Sequence, residues 1–294
     1  MKSKYLDPHA LNKLNNLSLK ARFVVEGFII GLHKSPYHGF SVEFSEHRPY
    51  TYGDEVKNID WKLWSRTDKY FIKQFEEETN LKAHIILDQS QSMNYGSNSI
   101  TKFEYAKMLA ASFSYLLIKQ QDAVGLALFD NDIRYKIPPK SVPSHLNVLL
   151  TQMEKSKPGS KTDISKVLHH YAESINKRGL VIILSDLFDD PEKIINGLKH
   201  FRHKGHEVLV FQILDQDELE FKFDKRTEFI DKETGEKITT NPWHLRSQYL
   251  EKMNKFFSKI NKGCQSNKIH HSIINTNDSL DKGLTEFLLK RKNI

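Results

Sequence analysis

Apolar residues change their spacing several times along the chain, and each change marks a different kind of element. From Asp7 to Leu32 the apolar positions Leu11, Leu14, Leu17, Leu19, Phe23, Val24, Phe28 and Ile29 recur at roughly helical spacing, which predicts a long amphipathic helix with a break near Asn15-Asn16. Gly39 to Phe44 alternates apolar and polar residues, as a half-buried strand does, and Gly53-Asp54 reads as a tight turn. Later runs, Ile85-Ile86-Leu87, Leu180 to Leu184 and Glu207 to Leu214, are apolar with little alternation and bounded by polar residues, which suits strands buried on both faces of a parallel sheet. Helical spacing fills the intervals. Ile100 to Gln120 places Phe103, Ala106, Leu109, Ala110, Phe113, Leu116 and Leu117 on one side, and Ser144 to Lys155 and Pro191 to Lys204 follow the same period. Val124 to Phe129 and Ile133 to Ile137 read as a strand pair around Asp130-Asn131-Asp132, whose acids cap the turn. Regular alternation of strand and helix predicts an α/β fold with a mostly parallel sheet.

After Leu214 the rhythm breaks. Residues 215–240 alternate apolar and charged side chains around Lys232-Glu233-Thr234-Gly235-Glu236, which predicts a charged β-hairpin inserted beyond the sheet. Pro242 to Ile260 is helical again, with Trp243, Leu245, Tyr249, Met253 and Phe256 facing inward; a strand at Ile269 to Ile274 and a helix at Ser279 to Lys290 follow.

Composition narrows the class without naming a function. Of 294 residues 38% are hydrophobic and 28% charged, which describes a soluble globular protein rather than a disordered or membrane one. The net charge of +7 comes from Lys and Arg interspersed with Asp and Glu, with a basic cluster only at Lys290-Arg291-Lys292, so the charge reads as solvated surface and no nucleic-acid partner is expected. A lone Cys264 excludes an intramolecular disulfide and suits a reducing cytoplasm. No apolar core follows Met1-Lys2-Ser3-Lys4-Tyr5, and Phe23 to Leu32 contains Glu26 and is shorter than the ~20 residues of a membrane helix. The expectation is a cytoplasmic protein that reaches a membrane only through a partner.

Chemistry concentrates at Ile85-Ile86-Leu87-Asp88-Gln89-Ser90-Gln91-Ser92, where an apolar run ends in a carboxylate followed by hydroxyls at alternate positions. A strand of this kind delivers oxygen ligands into a loop, and ligands of open α/β sheets gather where strands end. Magnesium takes oxygen ligands, keeps several waters and needs only one or two carboxylates, so Asp88, Ser90 and Ser92 suit Mg2+, or Mn2+, better than calcium. A polar turn with no ion is the plainer alternative for so short a pattern. Two further stretches add to it: Pro158-Gly159-Ser160-Lys161-Thr162-Asp163 opens a helix whose apolar side is Ile164, Val167, Leu168, Tyr171 and Ile175, and Leu180 to Leu184 ends in Ser185-Asp186.

Those loops, in that order, resemble the metal-ion-dependent adhesion site of a von Willebrand factor A domain, with Asp88, Ser90 and Ser92 matching its first loop, Thr162 its second and Asp186 its third. The resemblance implies a three-layer, Rossmann-like α/β domain. It also implies a metal held partly through water, with one position open to an acidic side chain of a protein partner. Upstream, Tyr50 to Arg66 resembles the signature of the domain of unknown function 58 family, through Glu43, Arg48, Tyr50, Gly53, Asp54, Ile59, Asp60, Trp61 and Arg66. Tyr52 stands where that family commonly has proline and Ser65 where alanine is usual. Asp54, Asp60 and Arg66 are candidates for a partly buried ion-pair network around Trp61 and Trp64. The resulting organisation is a helix and signature segment over 1–79, packed on a von Willebrand A-like domain over 80–294. Proteins resembling this family are frequently encoded beside MoxR-type AAA+ ATPases, so the resemblance implies such a partner.

Other chemistries are weaker. Ser160-Lys161-Thr162 lacks the glycines of a phosphate-binding loop, and no Gly-x-Ser-x-Gly elbow is present. Ser90 occupies the place where a phosphoaspartate phosphatase has a second aspartate as acid. His200-x-x-His203-x-x-His206 has a spacing that could present imidazoles to a metal, but no third fixed ligand accompanies it. The reading is therefore a metal-dependent protein-binding module that is not an enzyme, with a magnesium-dependent phosphohydrolase as the alternative.

Overall fold

The computed structural model describes residues 7–14, 16–33, 47–51, 61–67, 69–73, 81–159, 163–223, 225–230 and 235–291. The chain divides into two compact units, Met1–Gly31 with Leu81–Ile294, and Leu32–Asn80.

The predicted N-terminal helix is two helices, α1 (Pro8–Asn12) and α2 (Leu17–His33), interrupted near the expected break. Asp7 caps α1 by accepting a hydrogen bond from the His9 amide at 3.0 Å. Leu11, Leu17, Ala21, Val24, Val25 and Phe28 are buried, while Leu19 and Phe23 are exposed. Asn12 Nδ2 donates to the Ser99 carbonyl (3.0 Å), and the Leu17 amide donates to Glu154 Oε1 (2.9 Å).

In the second unit β1 (His47–Pro49) pairs antiparallel with β2 (Phe71–Lys73), and α3 (Trp61–Thr67) lies between them in sequence. Its aromatic residues meet one another: Trp61 and Trp64 edge to face at 6.1 Å, Trp64 and Tyr70 stacked at 6.0 Å, Tyr50 and Tyr70 edge to face at 6.4 Å. The two tryptophans around which a partly buried ion-pair network was expected are themselves open to solvent, Trp61 52% and Trp64 36% exposed. Arg66 is exposed as well. Asp54 and Asp60, with the strand expected at Gly39–Phe44 and the turn at Gly53-Asp54, lie outside the described residues.

The main sheet comprises β3 (Lys82–Asp88), β4 (Ala123–Phe129), β5 (Ile133–Lys140), β6 (Leu180–Ser185), β7 (Glu207–Leu214) and, after the β8–β9 hairpin (Thr227–Ile230 with Lys237–Thr240), β10 (His270–Asn275). The order across the sheet is β10-β7-β6-β3-β4-β5, with every neighbouring pair parallel except β4 and β5. This is the mostly parallel α/β architecture expected of a von Willebrand A-like domain. Ala83 to Asp88 and all of β6 are buried, which is why their apolar runs do not alternate. The edge strand β5 alternates and carries Pro138-Pro139, residues a central strand would not tolerate.

Helices cover both faces. On one, Ile86, Val181, Ile183, Val208 and Val210 form a core with α6 (Ile164–Ser174) and α7 (Pro191–His203), and α9 (Pro242–Ser266) adds Ile260 and Cys264. On the other, α4 (Lys102–Lys119) places Phe113 5.1 Å from Phe211 of β7 and 5.1 Å from Phe287 of α10 (Asp281–Arg291), and α5 (Pro143–Lys155) packs beside α4. One correction concerns 215–240. Its first part is a helix, α8 (Gln216–Glu220), because Asp215 and Glu218 form a capping box, and only Thr227–Thr240 is the expected hairpin.

Candidate metal centre

Strand β3 has β4 on one side and β6 on the other, and the chain passes from β3 through β4 and β5 before returning to β6. Strand order therefore reverses at β3, and the crevice beyond the ends of β3 and β6 is the topological switch point where open α/β sheets bind ligands. Asp88 ends β3, and Asp186 directly follows β6.

Asp88 is 1% exposed. Its Oδ1 accepts from the Ser90 amide at 2.8 Å and its Oδ2 from Ser185 Oγ at 2.6 Å, so the carboxylate is fixed by its own loop and by the neighbouring strand. Ser90 is fully buried, and its hydroxyl lies 3.0 Å from that of Ser92, which opens a single 3₁₀ turn at Ser92–Asn94. The loop is tied down by the Gln89 amide donating to the Phe129 carbonyl (2.8 Å) and by the Gly159 amide donating to the Gln89 carbonyl (2.6 Å). Gly159 passes close to Asp130: a Cβ there would fall 2.2 Å from Asp130 Oδ2, which would have to move aside. The turn leading to Thr162 thus reaches the Asp88 loop; Thr162 itself lies outside the described residues.

Asp186 is 2% exposed. Its Oδ1 accepts from the Phe188 amide (3.3 Å), and its carbonyl accepts from Gln212 Nε2 (2.8 Å). Leu187 between them takes a left-handed backbone with φ of 58°, a conformation held by the Ser185 hydroxyl accepting from its amide at 3.0 Å. The structure thus groups Asp88, Ser90 and Ser92 directly and brings in Asp186 through Ser185.

Two further groups enter that sequence reasoning missed. Lys102, the first residue of α4, is fully buried, and its Nζ donates to Asp186 Oδ2 at 2.8 Å and to Glu218 Oε1 at 2.6 Å, with the Phe188 ring centroid 4.9 Å away. Burial works to lower the lysine's pKa, but the pairings with Asp186 and Glu218 outweigh it and raise the pKa above its ordinary value. Glu218 is pushed up, first by burial, while Lys102 pulls it down. Burial, reinforced by the Asp186 charge, moves the Asp88 carboxyl from 3.8 to about 7 against the hydrogen bonds from Ser185 and Ser90.

The chain matches the family described as "Protein of unknown function DUF58" over residues 46–256. The chain belongs to that family. The matched range contains every residue of the site just described. A DUF58 chain thus carries its loops on a parallel sheet, as the resemblance implied. Similar proteins include an uncharacterized protein of Mycobacterium bovis and one of Mycobacterium tuberculosis, each 24% identical over 219 residues, covering 73% of this chain and 68% of the relative. Among solved structures, BatB from Bacteroides thetaiotaomicron is similar at 17% identity and a TM-score of 0.48, covering 73% of this chain and all of that one. An aerotolerance-related membrane protein from Bacteroides fragilis is similar at 17% identity and a TM-score of 0.49, covering 71% and 99%. The SpRpn10 VWA domain is similar at 13% and 0.37, covering 70% and 93%.

For this DUF58 chain, the donor chemistry fits a hard divalent ion: buried carboxylate and hydroxyl oxygens from adjacent loops, without a soft ligand. Ionised, Asp88, Asp186 and Glu218 against Lys102 leave a net charge of minus two, the charge one such ion balances. Among the described residues no group of three or more His, Cys, Asp or Glu could hold a metal. The His200, His203 and His206 series does not converge: α7 ends at His203, His206 is buried against Phe201, and His200 meets His169 instead, with Nδ1 atoms 3.2 Å apart.

Proposed function

We propose that the chain is a protein-binding module that engages an acidic side chain of its partner through a divalent cation, Mg2+ or Mn2+, held by Asp88, Ser90, Ser92, Thr162 and Asp186. The observation that carries this reading is the meeting of the Asp88 carboxylate and the Ser90 and Ser92 hydroxyls with the Asp186 loop at the switch point of the sheet. The bound ion would supply a positive centre that neutral hydroxyl ligands leave partly unbalanced, and a partner's carboxylate gains from that charge where a neutral side chain does not. The chain's own part is to hold two buried carboxylates and two hydroxyls in place by loop hydrogen bonds.

The partner we propose is a MoxR-type AAA+ ATPase, with the pair acting in assembly or remodelling of other proteins, in the cytoplasm; that assignment follows the family resemblance. Among the described residues no helix is long and apolar enough to cross a membrane. Binding is favoured over phosphohydrolase chemistry because both Asp88 oxygens already accept hydrogen bonds and the side chain is buried, which suits a fixed ligand better than a nucleophile.

Gel filtration and calorimetry of the full chain with a MoxR-type AAA+ ATPase of the same organism test the proposal. The complex is expected with Mg2+, is expected to dissociate in EDTA, and weakens in Ser90→Ala and Asp186→Ala. Equal binding in EDTA overturns the adhesion mechanism.

A further inference from the structure

We infer that Lys102 is a built-in counter-ion of this site, a positioning residue whose ammonium holds Asp186 and limits how tightly a divalent cation is bound; the inference rests on the metal-site reading above. A lysine at the first position of a helix faces the positive end of the helix dipole, and burying its ammonium strips it of water as well. Nothing about α4 calls for it. What holds it there is the carboxylate pair, Asp186 at 2.8 Å and Glu218 at 2.6 Å, with the Phe188 ring on a further side. The lysine side chain is fully buried and that of Asp186 is 3% exposed, so water screens this pairing little.

Charge then sets the consequence. With the ammonium present, the three carboxylates leave minus two; without it they leave minus three, and a divalent ion entering the site loses a nearby like charge. Glu218 acts in the opposite sense. It shares the ammonium with Asp186 and adds a negative charge, so neutralising it commits Lys102 more fully to Asp186. Because Glu218 also closes the α8 capping box, with its Oε2 accepting from the Asp215 amide at 2.9 Å, the arm beyond the sheet supplies part of the site's charge.

Calorimetric titration of the full chain with MgCl2 and MnCl2, with melting curves in EDTA, tests this. Lys102→Met is expected to bind the ions about tenfold tighter or more, and Glu218→Gln weaker by a similar factor. Opposite signs matter, because loss of a merely structural ion pair lowers melting in both variants and shifts affinity in one direction. If Lys102→Met does not fold without metal, the double variant Lys102→Met/Glu218→Gln is compared with Glu218→Gln and is expected to bind tighter. A silent wild type with a binding Lys102→Met also supports the inference. Equal affinities of wild type and Lys102→Met, or of the double variant and Glu218→Gln, overturn it while leaving the metal reading intact. If no variant binds either ion, both fall.

Discussion

Replacing Asp88 with asparagine should stabilise the metal-free protein at neutral and alkaline pH while abolishing its response to magnesium. Asp88 is buried beside Asp186, and its carboxyl titrates near 7 instead of 3.8. A pKa raised in the fold means that the folded chain holds a proton the unfolded chain has released. Stability from this group is therefore fully present below about pH 4 and is lost as pH rises through about 7. A displacement of that size corresponds to about 4 kcal/mol. Asparagine mimics the neutral form at every pH. It keeps an oxygen for the Ser90 amide but turns an amide group toward Ser185, whose hydroxyl then needs another acceptor, at about 1 kcal/mol. In EDTA, Asp88→Asn should thus be slightly less stable than wild type near pH 4 and more stable by roughly 3 kcal/mol near pH 8. The assay is urea unfolding at both pH values, with and without Mg2+, reading the change in the gap, from which the hydrogen-bond loss cancels. A gap that stays constant with pH in EDTA would refute the premise that charged Asp88 is strained by burial and by Asp186. Magnesium should restore wild type toward the variant and leave the variant unmoved.

Acid should act oppositely through His84, which is 6% exposed and held near 4 by burial and by the charges of His206, Lys136 and Lys82. A depressed histidine pKa means the unfolded chain gains the proton first, so up to about 3 kcal/mol is lost as pH falls from 6.5 toward 4. His84→Gln should flatten that part of the stability profile, and an unchanged acid slope would sink the assignment. Gly179 precedes β6, and a Cβ there would sit 2.1 Å from the Lys82 carbonyl oxygen. Gly179→Ala should destabilise by about 1 to 3 kcal/mol in urea unfolding, since backbone must move; a neutral effect would show that the strand has slack.

Apolar period exposed the sheet because β3, β6 and β7 are buried on both faces and have no reason to alternate, while β5 at the edge does. It also exposed α7, whose buried Ile194, Leu198 and Phe201 follow the helical repeat, whereas α4 is buried nearly all round. Helix α9 is a correction: Trp243 and Leu245, expected to face inward, are exposed, and Pro242, Ile260 and Cys264 are its buried residues. Around Trp61 and Trp64 the expectation of a partly buried network overreached, since aromatic content implies burial only where a core is within reach. These rings satisfy one another and Tyr70 at the surface instead. At 215–240 alternation favoured a strand from the outset, but local capping won: Asp215 and Glu218, three residues apart, were a readable helix start.

The loops of the site were legible and its charges were not. Asp88, Ser90 and Ser92 are close in sequence, and a strand end brings them together without any tertiary information. Lys102 and Glu218 reach the site across 84 and 116 residues, measured from Asp186 and from Lys102. One signal was present. Lys102 shares the helical face of Ala106, Leu109 and Phe113, all buried, and a lysine at the head of an apolar stripe needs a carboxylate within reach to stay ionised there. Which carboxylates those were depended on α8, a five-residue helix beyond the regular βα repeat, fixed by a capping box and by Tyr249 donating to the Glu218 carbonyl at 2.9 Å. The arm that breaks the rhythm of the fold therefore supplies one of the charges that set the affinity of the site, and substitutions in α8 should alter cation binding without touching a proposed ligand.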